Sequence, residues 1–280
     1  MIEYRTMVQG DIEAGLSLCR LAGWNQLAKD WEIFLKLSPD GCRVAVSGSK
    51  VVGTVTTISY EHKFSWIGMV LVDPNYQRQG IGIQLLKEGI NILGEEDSIK
   101  LDATLTGRRV YLKLGFVDEY HLSRMQRTVP VNVSVATTAK PVYRNDLLQL
   151  AAFDRNFFEA GRQPLLEWMW EGGQRFSFIV EQDNEIQGYC MGRQGYNYTH
   201  IGPLVAKNLR IAKELLTAAL KNCTGQPVIL DAMHFEPQWL QWLKAIGFSE
   251  QRSFVRMYKG VNKYPEGSQN QFAILGPEFG

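Results

Sequence analysis

From residue 81 onward, apolar side chains fall at Ile81, Leu85, Leu86, Ile90 and Leu93, with Gln84, Lys87, Glu88 and Asn91 between them. That spacing predicts a helix with one buried face. An apolar run from Trp66 to Val72 predicts a strand before it, and the two are joined by the polar turn Asp73-Pro74-Asn75-Tyr76-Gln77-Arg78-Gln79-Gly80. Nearer the start, Glu3 to Val8 reads as a strand. Asp11 is placed to cap a helix whose buried stripe is Ile12, Leu16, Cys19 and Ala22, and Gly23 stops it. Lys29 to Leu37 predicts a second helix, closed by Ser38-Pro39-Asp40-Gly41. Val44 to Val46, Val51 to Ser59 and Ile99 to Leu105 complete the set of strands. Taken together the order is β-α-α-β-β-β-α-β-α-β.

The landmarks then return. Leu101-Asp102-Ala103 recurs as Leu230-Asp231-Ala232, Leu114-Gly115-Phe116 as Ile246-Gly247-Phe248, Gly53 as Gly188 and Asp11 as Asp146, at offsets between 129 and 135 residues. An offset of that size describes one duplicated domain rather than a short solenoid repeat. The alternating stretch from Thr128 to Val135 is the expected connector, which places a first domain at 1–130 and a second at 131–280. The final apolar run, Phe272 to Pro277, is either loose or docked on a domain.

Composition narrows the class of protein. The chain has 280 residues, 45% hydrophobic and 21% charged, which suits a soluble protein of two ordinary domains. A formal net charge of +1 with no Lys/Arg stripe argues against nucleic acid as a partner. The start of the chain lacks the apolar core of a signal peptide, and no run is long enough to cross a bilayer, so a cytoplasmic protein without a membrane partner is expected. Cys19, Cys42, Cys190 and Cys223 are far apart and show no metal-ligand spacing, so no metal is expected.

The turn at 73–82 is the candidate for chemistry. The first N–H groups of a helix have no partners within it and point at whatever lies above, which favours an anion. Gly80 and Gly82 let a ligand approach the backbone, and Arg78 adds fixed positive charge. Two glycines alone also fit an ordinary strand-to-helix turn. The dinucleotide and Walker phosphate loops are excluded, because the third glycine of one and the Gly-Lys-Ser/Thr of the other are missing. However, Val72-Asp73-Pro74 with Gln77-Arg78-Gln79-Gly80-Ile81-Gly82 closely resembles the acetyl-CoA motif of the GCN5-related N-acetyltransferase (GNAT) superfamily. Val110-Tyr111-Leu112-Lys113-Leu114-Gly115-Phe116 resembles its second signature, a helix carrying a tyrosine and ending in Gly-Phe.

That resemblance implies an α/β fold with a mixed α+β sheet, here two tandem GNAT domains of which the first binds acetyl-CoA as co-substrate. It implies direct transfer of an acetyl group to the amine of a small molecule or peptide. The cofactor would be held by the turn and by main-chain groups near Val70, Leu71 and Val72, on a strand splayed from its neighbour. A backbone N–H there would polarise the thioester. Tyr111 occupies the family's tyrosine position, and a phenol with a pKa of about 10 can donate a proton to a departing thiolate. Where many members have Asn and Ala, this chain has Thr104 and Gly107, which leaves Thr104 as a CoA contact through its hydroxyl. For the base, Glu61 precedes the thioester strand, with His62 beside it, and His234 and Glu236 follow a strand of the second copy. Surface turns are the plain alternative for all four. Trp24 and Asn25 are candidates for an acceptor wall, since an aromatic face suits a cation, although Trp24 also fits a core. The second copy has no glycine in its turn, Ala206 to Ala212, which is shorter: Val205 to Leu215 spans 10 positions against 13 from Val72 to Leu85. It is expected to shape the acceptor site without binding CoA, and the duplication to give a monomer with an internal pseudo-dimer. The competing class is an acyl-CoA sensor without turnover.

Overall fold

The computed structural model describes residues 1–94, 98–128, 135–262 and 267–280. The first half runs β1 (Ile2–Thr6), α1 (Ile12–Leu21), α2 (Ala28–Leu37), β2 (Arg43–Ser47), β3 (Lys50–Tyr60), β4 (Phe64–Val72), α3 (Ile81–Leu93), β5 (Ser98–Thr104), α4 (Leu105–Lys113) and β6 (Val117–Arg127). The second repeats the order with β7 (Lys140–Pro141), α5 (Leu147–Phe158), α6 (Gln163–Gly173), β8 (Phe178–Gln182), β9 (Glu185–Gln194), β10 (Thr199–Ala206), α7 (Leu209–Leu220), β11 (Val228–Met233), α8 (Pro237–Ala245) and β12 (Ser249–Gly260). A short strand, β13 (Gln271–Ala273), follows. Most of the connector expected from Thr128 to Val135 lies outside the described residues. No described helix is long and apolar enough to cross a membrane.

The thirteen strands among the described residues form one mixed sheet, in the order β1-β2-β3-β4-β5-β12-β6-β11-β13-β10-β9-β8-β7. The halves therefore exchange strands. β12, from the second half, pairs with β5 of the first, and β6, from the first, pairs with β11 of the second. Between them β6 and β12 pair with each other, Ser123 opposite Ser253 and Leu122 opposite Phe254. A cut at 130/131 would leave the sheet of each half one strand short.

Helices cover the sheet through apolar faces that the sequence pattern anticipates. In α3, Ile81, Leu85, Leu86 and Leu93 are buried while Gln84 and Lys87 are exposed. Gly53 and Gly188 are matched in space as well as in sequence. A Cβ on Gly53 would meet Leu85 and Ile81 of α3, and one on Gly188 would meet Ile211 of α7 at 2.9 Å. Gly15 in α1 likewise leaves room for the fully buried Trp31 of α2. Asp11 does not cap α1 with its side chain. Its carboxylate accepts instead from the Val8 N–H (2.9 Å) and from Arg5, because a short 3-10 turn precedes the helix. The final run is docked: Ile274, Leu275 and Phe279 are fully buried.

Candidate active site

The cleft begins with a defect in β4. Thr54 faces Leu71 and Thr56 faces Gly68, so Met69 and Val70 together oppose the single residue Val55. This is a β-bulge, with Met69 at φ 50° and its carbonyl accepting from the Thr54 hydroxyl at 2.8 Å. On its other edge β4 pairs with β5 only through Ser65–Ile99 and Trp66–Lys100, after which the strands part. An unpaired strand edge is thereby offered to the space between them, the position in which an extended amide-bearing ligand adds like a strand.

At the open end of this splay stands the N-terminus of α3. Gly80, in the left-handed region at φ 82°, is the N-cap and offers no side chain to the first amides of the helix. Asp73 fixes the approach: its carboxylate accepts from the Asn75 N–H (2.9 Å) and from Lys50 (2.7 Å), and Lys50 holds it below the usual carboxylate range. The cleft has a volume of about 440 Å³ and runs from this helix end, past Val70 and Val72, to Tyr111 and Glu278.

On the opposite wall, α4 carries Tyr111. Burial pushes its phenol up to about 12, although part of the ring still faces the cleft. The two departures from the family pattern fit together here. Thr104 Oγ1 accepts from the Gly107 N–H at 3.1 Å and so caps α4, while a Cβ at Gly107 would lie 3.1 Å from the Tyr111 ring. Asp102 also lines the cleft, and its buried side chain is held by Arg256 through two bonds of 2.9 and 2.8 Å.

Of the residues singled out from the sequence, the cleft gathers Trp24, Val70, Val72, Gln77, Arg78, Gly80, Ile81, Gly82, Thr104 and Tyr111. It does not gather the others. Alternation along β4 turns the Leu71 side chain into the core behind the strand, which leaves only its main chain, the group expected to hold the cofactor, on the strand edge. Gln79 is exposed and leans toward the Asn75 carbonyl. Glu61 sits in the β3–β4 hairpin turn, at the end of β4 away from the splay, where it pairs with Arg155 at 2.6 Å. Asn25 points away from the cleft and binds the loop before β10, accepting from the Asn197 and Tyr198 N–H groups at 2.8 and 2.9 Å. His234 bonds to the Ser123 hydroxyl (2.9 Å), outside the cleft, and Glu236 caps α8.

The cleft also contains residues that sequence reasoning passed over: Gln26, Asp102, Arg124, Arg252, Phe254, Pro277 and Glu278. Arg252 and Phe254 arrive on the exchanged strand β12 and Glu278 on the final segment. No local pattern announces either, apart from the apolar run around that segment.

The second half has the same splay, β10 and β11 pairing only through Thr199–Val228 and His200–Ile229. Here the gap is filled. β13 pairs with β10 on one side and with β11 on the other. The start of α7 is also closed, since Asn208 caps it by accepting from the Ile211 N–H at 3.0 Å.

Comparison with known proteins accords with this geometry. A model of the acetyltransferase (GNAT) family matches residues 15–116, and a model of an acetyltransferase (GNAT) domain matches residues 150–273. The chain belongs to the GNAT acetyltransferases. It is a tandem of two GNAT domains and an acyltransferase. A holothin acyltransferase from Pseudoalteromonas sp. (strain SANK 73390) is 25% identical over 92% of this chain and 87% of its own length. An uncharacterized N-acetyltransferase, YitH, from Bacillus subtilis (strain 168) is 26% identical over 77% of each chain. Among solved structures, a protein from Pyrococcus horikoshii classed as an acetyltransferase superimposes with a TM-score of 0.84 at 26% identity, covering 100% of this chain and 96% of that one. GNAT enzymes use acetyl-CoA as co-substrate and act on amine acceptors.

Proposed function

We propose that this tandem GNAT protein transfers an acetyl group from acetyl-CoA to a primary amine, using only the cleft of its first half. The observation that carries the reading is the contrast between the two splays. One is open and ends at a helix start with a glycine cap, whereas the other is filled by β13 and capped by Asn208.

In this reading the amides at the start of α3 and the guanidinium of Arg78 bind the diphosphate, since a helix N-terminus and a fixed cation both favour an anion. The free edge of β4 takes the amide groups of the pantetheine arm, and Thr104, whose hydroxyl keeps a donor after capping α4, contacts it from across the cleft. The bulge at Met69 and Val70 frees main-chain groups at the thioester, where an N–H stabilises the charge that develops on the carbonyl oxygen. Tyr111 supplies the proton to the departing sulfur. A phenol raised to about 12 remains protonated throughout the neutral range. Trp24 forms part of the acceptor wall.

The test is release of free thiol from acetyl-CoA in the presence of a panel of primary amines. Release that depends on the amine, with an acetamide as product, is expected. Binding of acetyl-CoA with no amine-dependent release would contradict turnover and favour a sensor.

A further inference from the structure

The final segment, 271–280, serves both halves. Its first three residues are β13, and the remainder crosses to the cleft of the first half. Arg193 donates to the Leu275 carbonyl (2.9 Å), Trp66 Nε1 to that of Pro277 (2.9 Å), the Tyr60 hydroxyl to that of Phe279 (2.5 Å) and Arg162 to that of Gly280 (3.2 Å). The Phe279 ring stacks on Phe34 with centroids 4.6 Å apart. Residue 278 is therefore pinned from both sides.

Its position relative to the bulge is set by a glycine. A Cβ on Gly68 would lie 2.6 Å from the Glu278 carbonyl oxygen and 3.0 Å from its Cα, so only the bare backbone of Gly68 lets the segment lie beside Met69. The Glu278 side chain faces the cleft yet is only 5% exposed. Oε1 accepts from Gln26 Nε2 at 3.0 Å and from Arg193 at 2.6 Å, whereas no donor among the described residues bonds Oε2. A glutamate is seldom buried unless paired. This one is paired through a single oxygen and retains the other.

Resting on the acetyl-transfer reading above, we infer that Glu278 is the carboxylate that receives the acceptor, and that the acceptor is a small amine arriving as its ammonium cation. The ammonium docks on Oε2 with Trp24 nearby, whose aromatic face also suits a cation. One proton passes from nitrogen to Glu278. The neutral nitrogen then bonds to the acyl carbon, and the carbon–sulfur bond breaks with its electron pair leaving on sulfur. Tyr111 protonates the sulfur, and the second proton lost by nitrogen restores the phenol. The proton on Glu278 goes to solvent, so the step balances as amide, free thiol and one proton. A glutamate that merely clasps the segment to Arg193 would have no bearing on the protonation state of the nucleophile.

That difference is measurable. Acetyl transfer at pH 7 is compared for benzylamine, present as an ammonium ion, and hydroxylamine, already neutral, in the wild-type protein, Glu278→Gln and Glu278→Asp. Acetyl-CoA affinity is measured alongside. Glu278→Gln is expected to lower kcat/KM for benzylamine by about 100-fold or more, the scale of a lost acid–base group. The same variant should leave hydroxylamine within about fivefold and acetyl-CoA affinity unchanged. Glu278→Asp should recover part of the benzylamine rate, and because it preserves the charge facing Arg193 it carries the test if the Gln variant does not fold. Equal losses for both nucleophiles, or no loss, would overturn the assignment while acetyl transfer itself stood. A wild-type protein that acetylates neither would overturn both.

Discussion

In the proposed reaction Tyr111 gives the departing sulfur its proton, and its surroundings suit that role. Gly107 makes room for the ring, Thr104 caps the helix that carries it, and burial holds the proton on the phenol. Tyr111→Phe is accordingly expected to lower kcat by about 10²-fold or more, with little change in the dissociation constant for acetyl-CoA. Steady-state rates beside calorimetric binding check this, and an unchanged kcat would remove Tyr111 from the proton path. The place of this residue in the cleft was legible in the sequence because it follows from a short local motif, and that of the glycine turn was legible for the same reason. Glu61 and His234 were not, because their value as bases depends on which end of a strand opens into the cleft. Asn25 shows how fine the distinction is: its neighbours Trp24 and Gln26 reach the cleft, while its own amide is committed to the loop before β10.

The elements that matter most are the two exchanged strands. Each brings an arginine to the aspartate of the strand it joins: Arg256 of β12 faces Asp102 of β5, and Arg124 of β6 faces Asp231 of β11. The recurrence of Leu-Asp-Ala, read in the sequence as a repeat, is thus also a pair of anchor points for exchange. Arg256→Ala leaves Asp102 buried without its partner, and breaking such a pair costs about 3–5 kcal/mol. Urea unfolding of the variant is expected to show a loss of that order, and a loss below about 1 kcal/mol would mean that the pair does not fasten β12. Replacing both members by leucine should cost much less. The exchange was not legible beforehand, because a strand paired with the other copy has the same alternation as one paired with its own. β13, at three residues, is too short to show a period. The missing glycines correctly pointed to a second copy unlike the first, and the structure adds a physical cause in the strand that fills its splay.

For the molecule as a whole, exchange within one chain makes a single continuous sheet, and a monomer is the expected form in solution. Folding also encloses several phenols. Burial raises Tyr60, Tyr120 and Tyr189 above the ordinary tyrosine value, and Tyr111 to about 12. As pH climbs past about 10, the unfolded chain gives up these protons while the folded chain still holds them, so the unfolded state gains. Their contribution is intact below that pH and lost as pH rises through the raised values. Melting temperature should fall steeply above about pH 10, and a flat profile between pH 9.5 and 11 would contradict this burial. Binding of one acyl-CoA, in the first half alone, is expected of this protein. It is tested by calorimetric titration with acetyl-CoA of the wild-type protein and Gly80→Phe, a variant whose Cβ meets no heavy atom within 4 Å, which is strained by the left-handed backbone there, and whose ring lies at the proposed diphosphate site. One equivalent, weakened at least tenfold by the substitution, is the predicted result. Two equivalents, none, or one that the variant binds equally well would contradict it.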